Sequence, residues 1–320
     1  MTKRQRRWLA MLTAGAAAGV LVRRASKTTF ATDDDPCGPE GIALPEGQRS
    51  TLTTDDGATL AVLTAGPVDG PVVVLAHCWT GGMSLWGAVA RRLVASGHRV
   101  VLWDQRGHGD STLGTDLITV DRLGDDLHQI LNDLDLRDVV LAGHSMGGMT
   151  IQALASRQPD DIHARVRGIA LVATAAHTGR LKVPPRIANA MLGEHRTVRL
   201  AKRGATSVRG AVGKNVYEPH LVATHEALLA TTGEARAGFM VAMGKMDYRP
   251  ALPTIEVPVR ILVGTRDRLT PPGRARELAA AIPTAELRVL DGYGHMLPLE
   301  APEVVADTIN ALHTAHLQTV

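Results

Sequence analysis

Five short, nearly uninterrupted apolar runs set the strongest limit on what this chain can become. PVVVLA (71–76), RVVLW (99–103), DVVLA (138–142), VRGIALVA (166–173) and VRILV (259–263) are strand-length and lack the alternation of a strand with one wet face. Such runs suit strands covered on both sides. Between them lie amphipathic stretches such as 85–96 and 120–134, where Leu123, Leu127, Ile130, Leu131 and Leu134 recur at helical spacing. Strands alternating with helices predict an α/β fold, a doubly wound and mostly parallel sheet with helices on both faces. A hairpin, Arg49–Thr54 with Thr59–Ala65 around Asp55-Asp56-Gly57, opens it.

Between the last two of these runs, about eighty residues carry no strand pattern and read as a helical insertion. Helices are further expected at 149–157, 273–281 and 303–317, and a strand at 286–290. The chain divides on this reading into a signal or anchor segment (1–27), a linker (28–48), a first core part (49–176), a helical cap (177–255) and a second core part (256–320).

Composition narrows the function classes. Lys and Arg number 35 against 32 Asp and Glu, a formal charge of +3. Lys3, Arg4, Arg6, Arg7, Arg23, Arg24 and Lys27 concentrate in the first segment without any acid, so the remainder is net acidic and nucleic acid is a poor partner. Arg6-Arg7 precedes fifteen uncharged residues, a length that suits a signal-peptide core better than a membrane span. Export or membrane attachment is the expectation, with a cytoplasmic protein bearing a basic tail as the alternative. Cys37 and Cys78 are too few for a disulfide framework and have no zinc-type spacing. Nothing in the sequence bears on oligomeric state.

The chemistry gathers around Gly143-His144-Ser145-Met146-Gly147, which follows a buried run and precedes a helix. A sharp strand-to-helix turn exposes the Ser145 oxygen and aims helix-start N–H groups at the same point. A serine hydroxyl needs a base, and that base an orienting acid. Asp267, just past VRILV, and His295, bracketed by glycine in DGYGHMLPLE, follow in the chain order Ser, Asp, His. Taken singly, Asp267 and His295 would be ordinary loop residues; together at these positions they read as a triad. Asp104 and Arg106 are expected to form a structural ion pair, His77, His108 and His144 to be structural and not catalytic, and Met240, Met243 and Met246, spaced by three, to be a packing face, with the lining of an acyl pocket as the alternative.

With the elbow GHSMGG, the loop Asp104-Gln105-Arg106-Gly107-His108-Gly109-Asp110-Ser111 and the two later motifs, residues 48 to 317 resemble the α/β-hydrolase superfamily, within it the capped esterase, monoacylglycerol-lipase and non-haem haloperoxidase-like group. The resemblance implies Ser145 as nucleophile, His295 as base, Asp267 as its partner, and an oxyanion hole from the backbone N–H groups of Trp79 and Met146. It implies a small-molecule or lipid ester as substrate and no metal or organic cofactor. Haloalkane and epoxide hydrolysis, which use Asp at the elbow, are disfavoured. Perhydrolase activity on the same residues and a slow ligand-binding receptor are the alternatives. One departure stands out: Cys78 occupies a loop position that is usually Gly, which questions that loop's backbone freedom.

Overall fold

The computed structural model describes residues 30–179 and 183–314. The segment expected as a signal or anchor therefore lies outside the described residues, within which no helix is long and apolar enough to cross a membrane. In chain order the first half comprises β1 (Gly47–Thr53), β2 (Thr59–Ala65), β3 (Val72–Ala76), α1 (Gly87–Ala95), β4 (Arg99–Trp103), α2 (Val120–Asp133), β5 (Val139–His144), α3 (Met146–Arg157), α4 (Pro159–Arg165) and β6 (Val166–Val172). Four helices follow: α5 (Pro185–Leu192), α6 (Thr197–Ala201), α7 (Glu218–Ala230) and α8 (Gly233–Met243). The chain then returns to the sheet with β7 (Val259–Gly264), α9 (Pro272–Ala281), β8 (Ala285–Leu290), α10 (Leu297–Glu300) and α11 (Pro302–Thr314).

The eight strands lie in the order β1-β2-β4-β3-β5-β6-β7-β8. Only β1 with β2 and β2 with β4 are antiparallel; the rest is parallel. The continuous apolar runs are explained by two cores, one on each face. Val74, Val101 and Leu141 pack on one side with Leu127, Ile130 and Ile151, while their neighbours Val73, Val100 and Val140 pack on the other with Val89, Leu93 and Ile309. Each such side chain contributes about 1.5–3 kcal/mol by burial, so neither face tolerates a polar residue.

Two element boundaries differ from expectation. Helix α3 starts at Met146, three residues early, because the turn at Ser145 feeds straight into it. Helix α4 was not foreseen, although Pro159 at its start and Asp160 and Asp161 in its first turn are helix-starting residues.

Arg106 does not pair with Asp104 as expected. Its fully buried guanidinium holds Asp126 of α2 through two bonds, Nε to Oδ2 at 2.7 Å and Nη2 to Oδ1 at 2.6 Å, and Asp56 of the hairpin turn at 2.8 Å. The β4 loop is thereby clamped to both neighbours. Burial works against the Arg106 charge, yet the two carboxylates hold its pKa above the usual value, and Arg106 in turn holds Asp56 far below the carboxylate range. Asp104 instead accepts the N–H groups of Met83 (2.7 Å) and Asp110 (3.1 Å), an acid used as a loop brace.

The stretch preceding β1 is docked. Arg92 donates to Pro36 O at 2.7 Å and Arg91 to Cys37 O and Gly41 O at 3.0 and 2.9 Å, while Asp35 accepts from His220 of α7 at 2.9 Å. Residues expected as linker thus touch both α1 and α7. Cys37 and Cys78 are free buried thiols.

Replacing Arg106 by Leu removes both side-chain hydrogen bonds of the fully buried Asp126 and leaves Asp56 with Arg122 as its cation, and unfolding free energy in urea should fall by about 3–5 kcal/mol. A loss under about 1 kcal/mol, the worth of an exposed pair, would show that the clamp is not structural.

Candidate active site

Ser145 stands at the carboxyl end of β5 with φ at +53°, a conformation rarely occupied by a residue with a side chain. Three bonds hold it there: its N–H donates to Val172 O (2.9 Å), and its carbonyl accepts the Met149 N–H (3.1 Å) and the Thr174 hydroxyl (2.6 Å). The flanking glycines are required by space. A Cβ on Gly143 would lie 2.4 Å from Gly147 O, and one on Gly147 would lie 2.1 Å from Ala76 O.

Asp267 and His295 come from the ends of β7 and β8 and meet at 2.9 Å, Nδ1 to Oδ2. The Asp267 carboxylate also accepts the N–H groups of Leu269 (2.8 Å) and Thr270 (2.9 Å). Burial pushes its pKa up, but His295 and these hydrogen bonds outweigh burial and leave it below the usual value. Thr270 was missed by sequence reading. Its oxygen lies 2.8 Å from Asp267 Oδ2, 3.2 Å from His295 Nδ1 and 2.7 Å from Ala173 O, so it ties the acid and the imidazole to the end of β6. Ser145 and His295 line one cavity, both almost entirely buried, although no hydrogen bond of 3.5 Å or less joins their side chains in this conformation.

Glu300 was also missed. Its buried carboxylate accepts Gly294 N–H (2.9 Å) and Met296 N–H (2.9 Å), on either side of His295, and Gly213 N–H (2.7 Å) from the segment before α7. Burial raises its pKa while the three N–H bonds work against that rise. The only sequence signal was an acid inside the apolar LPLEAP.

Met146 is the first residue of α3, so its N–H has no intrahelical acceptor. Neither it nor the Trp79 N–H has a hydrogen-bond acceptor among the described residues. The Trp79 loop is held by two neutral histidines. His77 donates through Nδ1 to Cys78 O (2.8 Å) and accepts the Gln105 N–H at Nε2 (2.9 Å); His108 donates to Arg106 O (3.0 Å) and accepts the Thr80 N–H (3.1 Å). Cys78 does not need glycine's freedom, because the residue at positive φ in this loop is Thr80. Its thiol fits because Gly81 faces it: a Cβ there would lie 2.9 Å from Cys78 Sγ. Burial pushes the Cys78 pKa up to about 12, which keeps it a thiol and no rival nucleophile.

The cavity encloses about 540 Å³. Trp79, Met149, Met240 and Met243 contribute to a mainly apolar lining, so two of the three spaced methionines line the cavity, while Met246 is half-buried against a core cluster. Trp86 meets His144 edge-on at 6.4 Å, and Trp103 lies in a sheet core.

Residues 73–308 match the family described as "Alpha/beta hydrolase family". The chain is 28% identical to a non-heme chloroperoxidase of Kitasatospora aureofaciens, over 82% of this chain and 98% of that one. It is 28% identical to a bifunctional esterase/perhydrolase of Acinetobacter calcoaceticus, over 79% and 95%. Among solved structures, a hydrolase from Pseudomonas aeruginosa superposes with a TM-score of 0.70 at 26% identity, covering 83% of this chain and 98% of that one.

The buried histidines give the site a pH signature. Burial, the largest cause in each case, pushes His77 down to about 4 and His108 and His144 to about 3; His144 donates through Nε2 to His295 O at 2.8 Å. Unfolded, all three titrate near the ordinary 6.5, so the stability gained from keeping them neutral is complete above that pH and lost as pH falls toward their folded values. Each should lower unfolding free energy by about 1.4 kcal/mol per pH unit below that point. Urea denaturation at pH 7, 6 and 5 checks this; a flat profile would contradict the burial of neutral imidazoles.

Proposed function

The chain belongs to the alpha/beta hydrolase family, and on that premise we propose that it is a serine hydrolase that cleaves carboxylic esters through an acyl-enzyme. The observation that carries the reading is the 2.9 Å bond between His295 and Asp267 at the wall of the cavity lined by Ser145. Ser145 Oγ attacks the ester carbonyl, His295 Nε2 takes its proton and returns it to the leaving alcohol, and Asp267 fixes the tautomer with Nδ1 protonated. The oxyanion lies against the N–H groups of Met146 and Trp79, which face no competing acceptor and cost no rearrangement as charge develops. Water, deprotonated by His295, then attacks the acyl carbon and releases Ser145.

The apolar lining favours an ester with an aliphatic acyl part, including monoacylglycerol-type lipid esters, and the helical stretch 177–255 serves as the cap that selects it. The relative named as a bifunctional esterase/perhydrolase supports a second activity on the same residues. There hydrogen peroxide takes the place of water: its oxygen attacks the acyl carbon, the acyl–Oγ bond breaks, and the peroxide proton passes through His295 to Oγ, leaving a peracid.

A fluorophosphonate probe should label the protein, and Ser145→Ala should abolish both labelling and hydrolysis of p-nitrophenyl esters. Asp267→Asn, which removes the acid that sets the tautomer, should lower kcat by about 10³–10⁴. Wild-type protein that neither labels nor hydrolyses any such ester refutes the assignment, and peracid formed from acetate and peroxide reports the second activity.

A further inference from the structure

The lining of the cavity also carries cations. Arg196, Arg199 and Arg203, in and around the short helix α6, line it, and no Asp or Glu does so among the described residues. Their spacing of three and four residues places successive guanidinium groups along one side of a helical stretch. They belong to a longer cationic run: from His195 to Tyr217 the sequence has four Arg and two Lys and no acid.

Several other arginines of this protein hold carboxylates. Arg106 holds Asp56 and Asp126, Arg157 holds Asp125, Arg167 holds Asp138 and Arg274 holds Glu277. Among the described residues, Arg196 and Arg199 form no ion pair within 4.0 Å. Arg196 is anchored through Nε, to Ala190 O at 2.6 Å, and not through its terminal nitrogens. Glu194, the acid next to the run, is occupied by Gly233 N–H (2.6 Å) and the Thr197 hydroxyl (3.3 Å). The remaining lining is chain-like and adaptable, including five of the ten methionines: Met149, Met191, Met240, Met243 and Met296. Guanidinium groups beside a low-dielectric cavity attract anions and bind carboxylate or phosphate oxygens in pairs.

We propose that the cavity takes esters that are anionic amphiphiles, with the scissile carbonyl at Ser145, an aliphatic stretch along the methionines, and a carboxylate or phosphate at the far end held by Arg196, Arg199 and Arg203. This rests on the serine-hydrolase reading but is tested separately from it.

The probes are mono-p-nitrophenyl suberate, with a free carboxylate at the far end, and p-nitrophenyl octanoate, of the same chain length without it. For the wild type, kcat/KM should favour the suberate by about tenfold or more, the order expected of a hydrogen bond to a charged group. The ratio should shrink in 0.5 M NaCl and approach one in the variant Arg196→Gln/Arg199→Gln/Arg203→Gln. Binding of both esters to Ser145→Ala, followed by calorimetry, should show the same preference without turnover. Equal binding of the two esters, or a preference that survives the triple substitution, overturns the proposal. Stimulation only by phosphatidylglycerol vesicles, with no preference between the soluble esters, also overturns it, because the arginines would then face a surface and not a substrate. If Ser145→Ala keeps the preference while the wild type turns over neither ester, the anion subsite stands and ester hydrolysis falls.

Discussion

The structure turns on a steric constraint at the junction of β5 and α3. The helix must begin immediately after Ser145, and the strand must arrive so close that backbone carbonyls of Gly147 and Ala76 occupy the space where Cβ atoms of Gly143 and Gly147 would stand. Only a chain without side chains at those two points can make the turn. Ser145 then carries the positive φ, at a cost of about 1–3 kcal/mol, offset by hydrogen bonds to β6 and the Thr174 hydroxyl. Exposed strain of this kind persists only where the surroundings over-determine it, and two fully buried faces of a parallel sheet supply that rigidity.

The same packing explains what the sequence made legible. Strands buried on both faces leave continuous apolar runs, so β3, β4, β5, β6 and β7 could be read directly, and the elbow was readable because its glycines are obligatory. The residues that sequence reasoning missed are polar groups whose partners are far away in the chain. Thr270 meets Ala173 and His295, and Glu300 meets Gly213; nothing local to either residue distinguishes it from an ordinary loop threonine or helix acid. Arg106 was misassigned for the same reason. Its nearest acid in sequence, Asp104, serves backbone N–H groups, while its true partners, Asp56 and Asp126, lie fifty and twenty residues away.

Cys78 shows the opposite case, a sequence departure that proves harmless once space is considered. The usual small residue at that position has been exchanged for a thiol, and the room it needs comes from Gly81, three residues on. Backbone freedom is demanded of Thr80, whose N–H is fixed by His108, so the loop keeps its shape with a side chain at Cys78.

The proposed chemistry and the proposed selection fall to different parts of the chain, and Glu300 touches both. The groups proposed to react all come from loops and helix starts at one edge of the sheet, positioned by neutral histidines and backbone carbonyls. The arginines and most of the methionines that line the cavity lie in the helical stretch between β6 and β7. Glu300 binds the backbone on both sides of His295 and, with the same carboxylate, the Gly213 N–H of that stretch. A buried carboxylate that gives up one of three N–H donors is left under-solvated by about 1–3 kcal/mol or more. Displacing the segment around Gly213 therefore strips Glu300 of one of the three donors through which it also holds the His295 loop.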